Sequence, residues 1–367
     1  MRICSPQLGL APRSILGGEV FDREILLGLA KNEVKIEIIL PKNKPHDRVK
    51  NWHIHYLPLS HFPAFLFNLL IIPYLFIIQS KTPFSILRVH QPQFMGLGAI
   101  FFKLFFPSLK LLATYHQFNE TRFGLLSKFI NRSWDHIICD SENVKNKISS
   151  IYLVQKNKIS VVHNGVPDYL RPTKKDQELV NNLDLKDMRV ILFMGLFIKR
   201  KNPLFLLDVL REISRKQKNV VVIFWGKGPL EDQIIKKAKK LSLYEKIRIL
   251  NPVYGREKNK IHNLADIFVH PSRDEGFALA PLEAMACAKP ILITNSFSAK
   301  EAVVDTVNGF LCNYNDTNDW SQKTAILLDD KKLTMKMGLA SLSKVKKEFK
   351  WKIAVEKHLE VLARIAR

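Results

Sequence analysis

Short aliphatic runs alternate along most of the chain with longer stretches in which apolar residues recur every three or four positions. A first strand is expected beside Met1. The pattern then predicts strands at residues 36–40, 86–89, 111–115, 136–139 and 159–163. Between them, residues 20–31, 65–78, 96–106 and 125–133 are long enough for helices. Strands that read as near-continuous apolar runs are covered on both faces, which implies a parallel sheet. The polar stretch 172–186 reads as a linker. A second series of strands follows at 190–195, 220–225, 247–250, 267–270 and 291–294. The expectation is an α/β chain of two doubly wound halves. Its boundaries are 1–170, a linker at 171–187, 188–350, and a closing helix in 351–367.

One stretch strains this pattern. Residues 62–78 are the most apolar of the chain, seventeen positions interrupted by Pro63, Asn68 and Pro73. That is marginal for a membrane span. A covering helix with surplus apolar surface, able to touch a bilayer, fits the alternation better. Residues 96–106 are similarly greasy and receive the same reading.

Composition adds a globular balance, 47% apolar and 25% charged over 367 residues, sufficient for a sizeable core. The net charge is +23, which acts over long range on anions such as nucleotide phosphates or an anionic membrane surface. No zinc-finger, helix-turn-helix or aromatic-basic RNA signature accompanies it, so nucleic acid ranks last among partners. Cys4, Cys139, Cys287 and Cys312 lack metal-binding spacing and read as reduced thiols. With no leader pattern ahead of the first strand, the expected location is cytoplasmic, with peripheral contact on the inner face of a membrane left open.

The chemistry concentrates in residues 271–290. A strand runs into Glu275-Gly276-Phe277-Ala278-Leu279, and a second carboxylate, Glu283, stands eight positions after the first. A helix opening near Leu279 presents unpaired backbone N–H groups and partial positive charge, which suits a phosphate-bearing ligand. Two nearby carboxylates can accept hydrogen bonds from sugar hydroxyls. The competing reading is an ordinary strand–turn–helix with Glu275 as a cap and Glu283 in solvent. Elsewhere, Gly17-Gly18 follows the first strand, Gly195 precedes the cluster Lys199-Arg200-Lys201, and Gly226 lies in Gly226-Lys227-Gly228-Pro229. The Asn164-Gly165 pair suits a tight turn and reads as hinge architecture.

Taken together, these motifs resemble the donor-binding signature of the retaining, family 4-like glycosyltransferases of the GT-B fold (glycosyl transferases group 1). The resemblance is dense over residues 271–290 and looser in the N-terminal half. It implies two Rossmann-like domains facing a cleft, with the last helix returning to the first domain. It implies transfer of a hexose from a nucleotide sugar to a glycan or lipid-linked glycan with retained anomeric configuration, as in cell-surface polysaccharide or glycolipid synthesis. No cofactor and no catalytic metal are expected. On this resemblance Glu275, His116 and Lys201 form the catalytic set: Glu275 on a donor-sugar hydroxyl, Lys201 on the departing diphosphate, His116 at the reacting region. Donor-binding positions are Gly17, Gly18, Gly195, Gly226, Phe277, Ala278, Leu279 and Glu283, with Glu283 on the ribose. The sequence departs from the family where Leu196 replaces an Arg and where Ala278 and Ala288 replace glycines. Lys199 or Arg200 is available to supply the missing charge. An epimerase or hydrolase on the same fold, and a non-catalytic nucleotide-sugar-binding protein, are the competing functions.

Overall fold

The computed structural model describes residues 1–14, 16–116, 124–273 and 275–367. These residues divide into two compact units, 1–165 with 351–367, and 166–350. In the first unit seven strands form one sheet: β1 (Arg2–Cys4), β2 (Lys35–Pro41), β3 (Trp52–Leu57), β4 (Ile86–His90), β5 (Lys110–Tyr115), β6 (His136–Cys139) and β7 (Ile159–Val161). Their order is β3-β2-β1-β4-β5-β6-β7, and every pairing is parallel. The covering helices are α1 (Gly17–Lys31), α2 (Phe67–Lys81), α3 (Pro92–Phe105), α4 (Gly124–Arg132) and α5 (Glu142–Tyr152).

Period-two alternation sorts the strand side chains into two cores, since successive residues of a strand point to opposite faces. Ile36, Ile38 and Leu40 of β2 pack with α1 on one face. Ile39, with Leu87 and Val89 of β4, packs with α2 and α3 on the other. The strand β3 was not expected. It is an edge strand whose Trp52 and Leu57 are buried, while His53 and His55 between them pair with Glu37. Those histidines broke the apolar run that marks the other strands.

The second unit repeats the plan with six strands, β8 (Arg189–Met194), β9 (Val220–Trp225), β10 (Ile247–Leu250), β11 (Ile267–His270), β12 (Ile291–Thr294) and β13 (Gly309–Cys312). The order is β10-β9-β8-β11-β12-β13, again all parallel. Its helices are α6 (Gln177–Asn182), α7 (Phe205–Lys216), α8 (Glu231–Lys240), α9 (Glu257–Leu264), α10 (Leu279–Ala286), α11 (Phe297–Ala302), α12 (Thr317–Asp329) and α13 (Lys331–Glu348). The unexpected β13 starts at a glycine because a side chain there would meet the Ile291 carbonyl oxygen at 2.0 Å.

The expected linker is corrected by the structure. Residues 171–187 belong to the second unit. The segment holds α6, buries Val180 and Leu185 in the core, and is tied down by Asn259 and Asn263 accepting from the Arg171 and Thr173 backbone N–H groups. The polar surface of α6 masked this packing. The division between units falls instead at the 164–165 turn. The last helix, α14 (Trp351–Ile365), lies in the first unit against α1. There a Cβ on Gly28 would come within 2.1 Å of Val355, so only glycine permits the approach.

Candidate active site

In each sheet the strand order reverses once, between β1 and β4 and between β8 and β11. Ligands of open α/β sheets bind outside the carboxyl ends of strands at such switch points. The second unit fills its switch point with charge. A turn of 3-10 helix, Lys199–Lys201, follows β8, and Glu275 follows β11. Lys201 Nζ lies 2.7 Å and an Arg200 guanidinium nitrogen 2.6 Å from the same oxygen, Glu275 Oε1. Ser272 donates to that oxygen as well, and its hydroxyl also reaches the Arg200 carbonyl at 3.1 Å. Burial alone would push the Glu275 carboxyl up. The Lys201, His270 and Arg200 charges outweigh it and hold the carboxyl down at about 2. Burial likewise drives the neighbouring His270 down to about 3, aided by Lys201, so its imidazole is neutral near pH 7.

Beside this cluster α10 opens at Leu279. Its N-cap position, Ala278, provides no side-chain cap, so the first N–H groups of the helix are free of a competing side chain. One turn in, Glu283 is 5% exposed. It pairs with Lys258 of α9, and its other oxygen lies 3.5 Å from His262 Nε2. Desolvation opposes its ionisation, but Lys258 and His262 win and lower its pKa. Lys258 Nζ also stands 6.0 Å from the Trp225 ring, at the end of β9 and next to Gly226.

The first unit answers with imidazoles. Asp22 of α1 is fully buried between Arg88, which donates to Oδ1, and His90, whose Nδ1 meets Oδ2. His116, just past β5, stacks near His90 with ring centroids 4.9 Å apart, and its Nδ1 is 4.0 Å from Asp140. A Cβ on Gly18 would sit 3.4 Å from His116 and 3.5 Å from His90, so the first turn of α1 lies against both rings. Burial works against the Asp22 charge, and Arg88 and His90 overcome it, leaving the carboxyl far below the usual range. Burial and the nearby His90 push His116 down to about 3. Asp22, His90 and His116 each bring one donor atom within 4.8 Å of the others, a spacing a metal ion accepts. The Arg88 guanidinium already occupies Asp22 and repels a cation there, which fits a hydrogen-bonded network better.

The C-terminal half matches the family described as glycosyl transferases group 1 over residues 174–342, and the N-terminal half matches glycosyltransferase family 4 over residues 15–168. The two matches together make the chain similar to the group 1 glycosyltransferases along both of its halves. An uncharacterized glycosyltransferase of Methanocaldococcus jannaschii is 29% identical over 65% of this chain and 62% of its own length. The capsular polysaccharide biosynthesis glycosyltransferase CapM of Staphylococcus aureus is 27% identical over 60% of this chain and 59% of its own. The chain thus aligns with about three-fifths of the length of these curated relatives. Among solved structures, Anabaena HepE in complex with UDP and glucose superposes with a TM-score of 0.79 at 17% identity, covering 99% of this chain and 100% of that one. At that identity the likeness establishes the GT-B fold.

Within the two units, the expected positions sort into three groups. Glu275 and Lys201 meet directly, and Glu283 lies on the adjoining helix with Ala278 and Leu279 at its start. Gly17, Gly18 and His116 gather in the first unit. Phe277 packs its ring against the core, 5.5 Å from Phe349, while bordering the same pocket as Glu275 and Ala278. Gly195 and Gly226 pack on each other. A Cβ on Gly226 would lie 1.9 Å from the Gly195 carbonyl oxygen, so Gly226 is required by the close approach of two loops, whatever else it does. Of the two residues able to replace the family Arg at Leu196, Arg200 is the one that reaches Glu275. Lys258, Asp22 and Arg88 went unread. The one available signal was Arg88 itself, a charge inside an otherwise apolar strand, which demands a buried partner.

Proposed function

We propose that this protein transfers a hexose from a nucleoside diphosphate sugar to a glycan or lipid-linked glycan acceptor, with retention at the anomeric carbon. The convergence of Lys201 and Arg200 on Glu275, beside the uncapped start of α10, carries the reading. Two cations beside an uncapped helix start support a diphosphate leaving group gaining its charge there. Such preorganised groups act most strongly on the charge that develops in the transition state. HepE binding UDP and glucose, and the role of CapM in capsular polysaccharide biosynthesis, support a UDP-sugar donor and a surface glycan acceptor.

In the proposed reaction the bond between the anomeric carbon and the β-phosphate oxygen breaks. The acceptor hydroxyl oxygen bonds to the same face, and its proton departs with the nucleoside diphosphate. Lys201 and Arg200, held in place by Glu275 before the donor arrives, neutralise the leaving diphosphate. Glu275 remains ionised throughout the neutral range and accepts a hydrogen bond from a sugar hydroxyl. Glu283, fixed by Lys258, accepts from the ribose. In the first unit, the neutral His116 imidazole can donate or accept a hydrogen bond without adding charge. These cations serve in place of a metal, and we propose that the reaction proceeds without one.

The test is product analysis with UDP-, GDP- and ADP-sugars in the presence and absence of a glycan acceptor, with and without chelator. A glycosylated acceptor with retained linkage, insensitive to chelation and lost in Glu275→Gln, is the expected result. Epimerised sugar, free sugar without acceptor dependence, or tight nucleotide binding with no transfer would overturn it.

A further inference from the structure

A helix on a soluble sheet normally turns an apolar stripe inward and a polar stripe outward. Three neighbouring helices of the first unit break this rule. On α3, Met95, Ala99 and Phe102 are buried, yet the opposite stripe is Leu97, Phe101, Leu104 and Phe105, with Leu104 72% exposed. On α2, Phe67, Ile71, Leu75 and Ile78 face the core while Leu69 and Ile77 face out, Leu69 at 66%. On α4, Leu125 is 83% exposed and Phe129 accompanies it. Among the described residues, ten of the twenty-four exposed large apolar side chains lie on these three helices and the 3-10 turn leading into α2. Patches of this kind mark interaction surfaces.

The three helices form one rigid face. The Asn68 side chain of α2 accepts from the Leu97 N–H of α3 at 3.0 Å, and a Cβ on Gly98 would clash with the Asn68 carbonyl at 2.2 Å. Phe76 packs edge-on to Phe102 and Phe105. Gly96 lets Ile130 of α4 approach α3. The Ala64–Lys81 segment is long and apolar enough to cross a membrane. Its inner stripe, however, closes the core over β2 and β4, so leaving the sheet would strip that core bare.

The charge around this face has one sign. Residues 48–119 contain no Asp or Glu, and neither does α4. Lys81, Lys128 and Arg132 are exposed at the helix ends and on α4. Asp135, the carboxylate beside α3, is already taken by Lys103. A second copy of this chain would bring these cations against their own kind, whereas an anionic surface complements them.

We propose that the outer face of α2, α3 and α4 docks on an anionic phospholipid bilayer, its leucine and phenylalanine side chains entering the acyl boundary and Lys81, Lys128 and Arg132 meeting the headgroups. Apolar insertion and basic attraction each bind reversibly, and the two together give stable peripheral attachment. The proposal is independent of the transfer reaction above.

Co-sedimentation of the full-length protein with vesicles of phosphatidylglycerol and phosphatidylcholine tests it, against vesicles of phosphatidylcholine alone. The anionic vesicles are expected to pellet the protein, with binding weakened but not abolished by salt. The double substitution Leu104→Glu, Phe105→Glu is expected to lower binding about tenfold or more, with nucleotide binding unchanged because both side chains lie outside the candidate active site, and with melting temperature only slightly lowered, since Phe105 also packs on Phe76. Lys128→Glu with Arg132→Glu is expected to remove the preference for anionic vesicles. Three results would overturn the proposal: no sedimentation with anionic vesicles at low salt, binding indifferent to both pairs, or a concentration-dependent dimer, without vesicle binding, that the Leu104/Phe105 pair dissolves.

Discussion

The two switch points are built on the same strand order from opposite chemistry. In the second unit a carboxylate is gripped by two cations on a 3-10 turn, with Arg200 36% and Lys201 14% exposed. In the first unit Asp22 and Arg88 are both fully buried, and the groups turned toward Gly18 are imidazoles. Each cluster is followed by a left-handed backbone residue, Asn202 at φ 56° after Lys201 and Gln91 at φ 53° after His90. The comparison separates two ways of preparing a site. One leaves a charge, that of Arg200, exposed enough to meet an incoming anion. The other locks charge in the interior so that a neutral imidazole, His116, is held at a fixed place.

The largest expected effect follows from that difference in burial. Removing one partner of a buried ion pair strands the other charge, whereas a partly exposed pair is worth little. Arg88→Met is expected to cost about 3–5 kcal/mol of folding stability, read by chemical denaturation. Arg200→Met is expected to cost about 1 kcal/mol or less. Equal costs would erase the distinction between a locked and a partly exposed cluster.

Next come the kinetic consequences. Lys201→Ala removes a cation aimed at the leaving group and is expected to lower turnover about 10²–10³-fold, the scale for losing one preorganised donor. Nucleotide affinity is expected to fall with it, since the ammonium meets the diphosphate in the ground state too. His116→Asn is expected to lower turnover while leaving nucleotide affinity within about twofold, as an imidazole acting only at the reacting centre would. Steady-state kinetics beside calorimetric nucleotide binding reads both. Parallel loss of affinity in both variants would mean that the first unit binds nucleotide and that the division of labour is false.

How much of this was legible beforehand depends on how local each signal is. The strand–turn–helix from Ile267 to Ala286 was readable because strand, turn, helix start and both carboxylates fall within twenty residues. The strands β9 to β12 matched their apolar runs to the residue. By contrast, Asp22 and Arg88 lie 66 positions apart and Lys258 and Glu283 lie 25 apart. On α1, Asp22 follows Phe21 and precedes Arg23, and so resembles a solvated face. Only the sheet, by placing β4 beside β1, turns it into a buried partner. Residues 171–187 misled for the complementary reason: α6 is short and mostly polar, and the segment's two anchors, Val180 in the helix and Leu185 after it, are too sparse to show a period.

Acid titration separates the units by window. The Glu275 carboxyl is depressed to about 2 in the folded protein against an unfolded value near 4.3. Its pairing therefore stabilises the fold above that value and is lost as pH falls from there toward 2. This is worth about 2–3 kcal/mol. His116 is depressed to about 3 from an unfolded value near 6.5. The unfolded chain binds the extra proton first, so stability falls as pH drops from about 6.5 toward 3. The destabilisation of Glu275→Gln relative to wild type is thus expected to shrink only below about pH 4.5. His116→Asn is expected to gain on wild type already between about pH 6 and 4. Thermal melts over pH read the difference, and coincident windows would contradict the assignment of a neutral imidazole.

The smallest effect concerns the two left-handed residues. Asparagine tolerates this conformation because its short side chain can bond locally, while glutamine carries the full Cβ penalty without that compensation. Replacing a strained residue by glycine relieves the penalty at some cost in unfolded-state entropy. Gln91→Gly is accordingly expected to raise stability by up to about 1 kcal/mol. Asn202→Gly, which also loses the 2.8 Å bond from Asn202 Nδ2 to Asn315, is expected to be neutral or to lower it by about 0.5 kcal/mol. Strain kept in a structure tends to sit where function needs a fixed geometry. If the Gln91 turn exists to aim His90 at Asp22, the glycine variant gains stability and loses turnover together. A variant that gains stability with turnover intact would show that the turn merely joins β4 to α3.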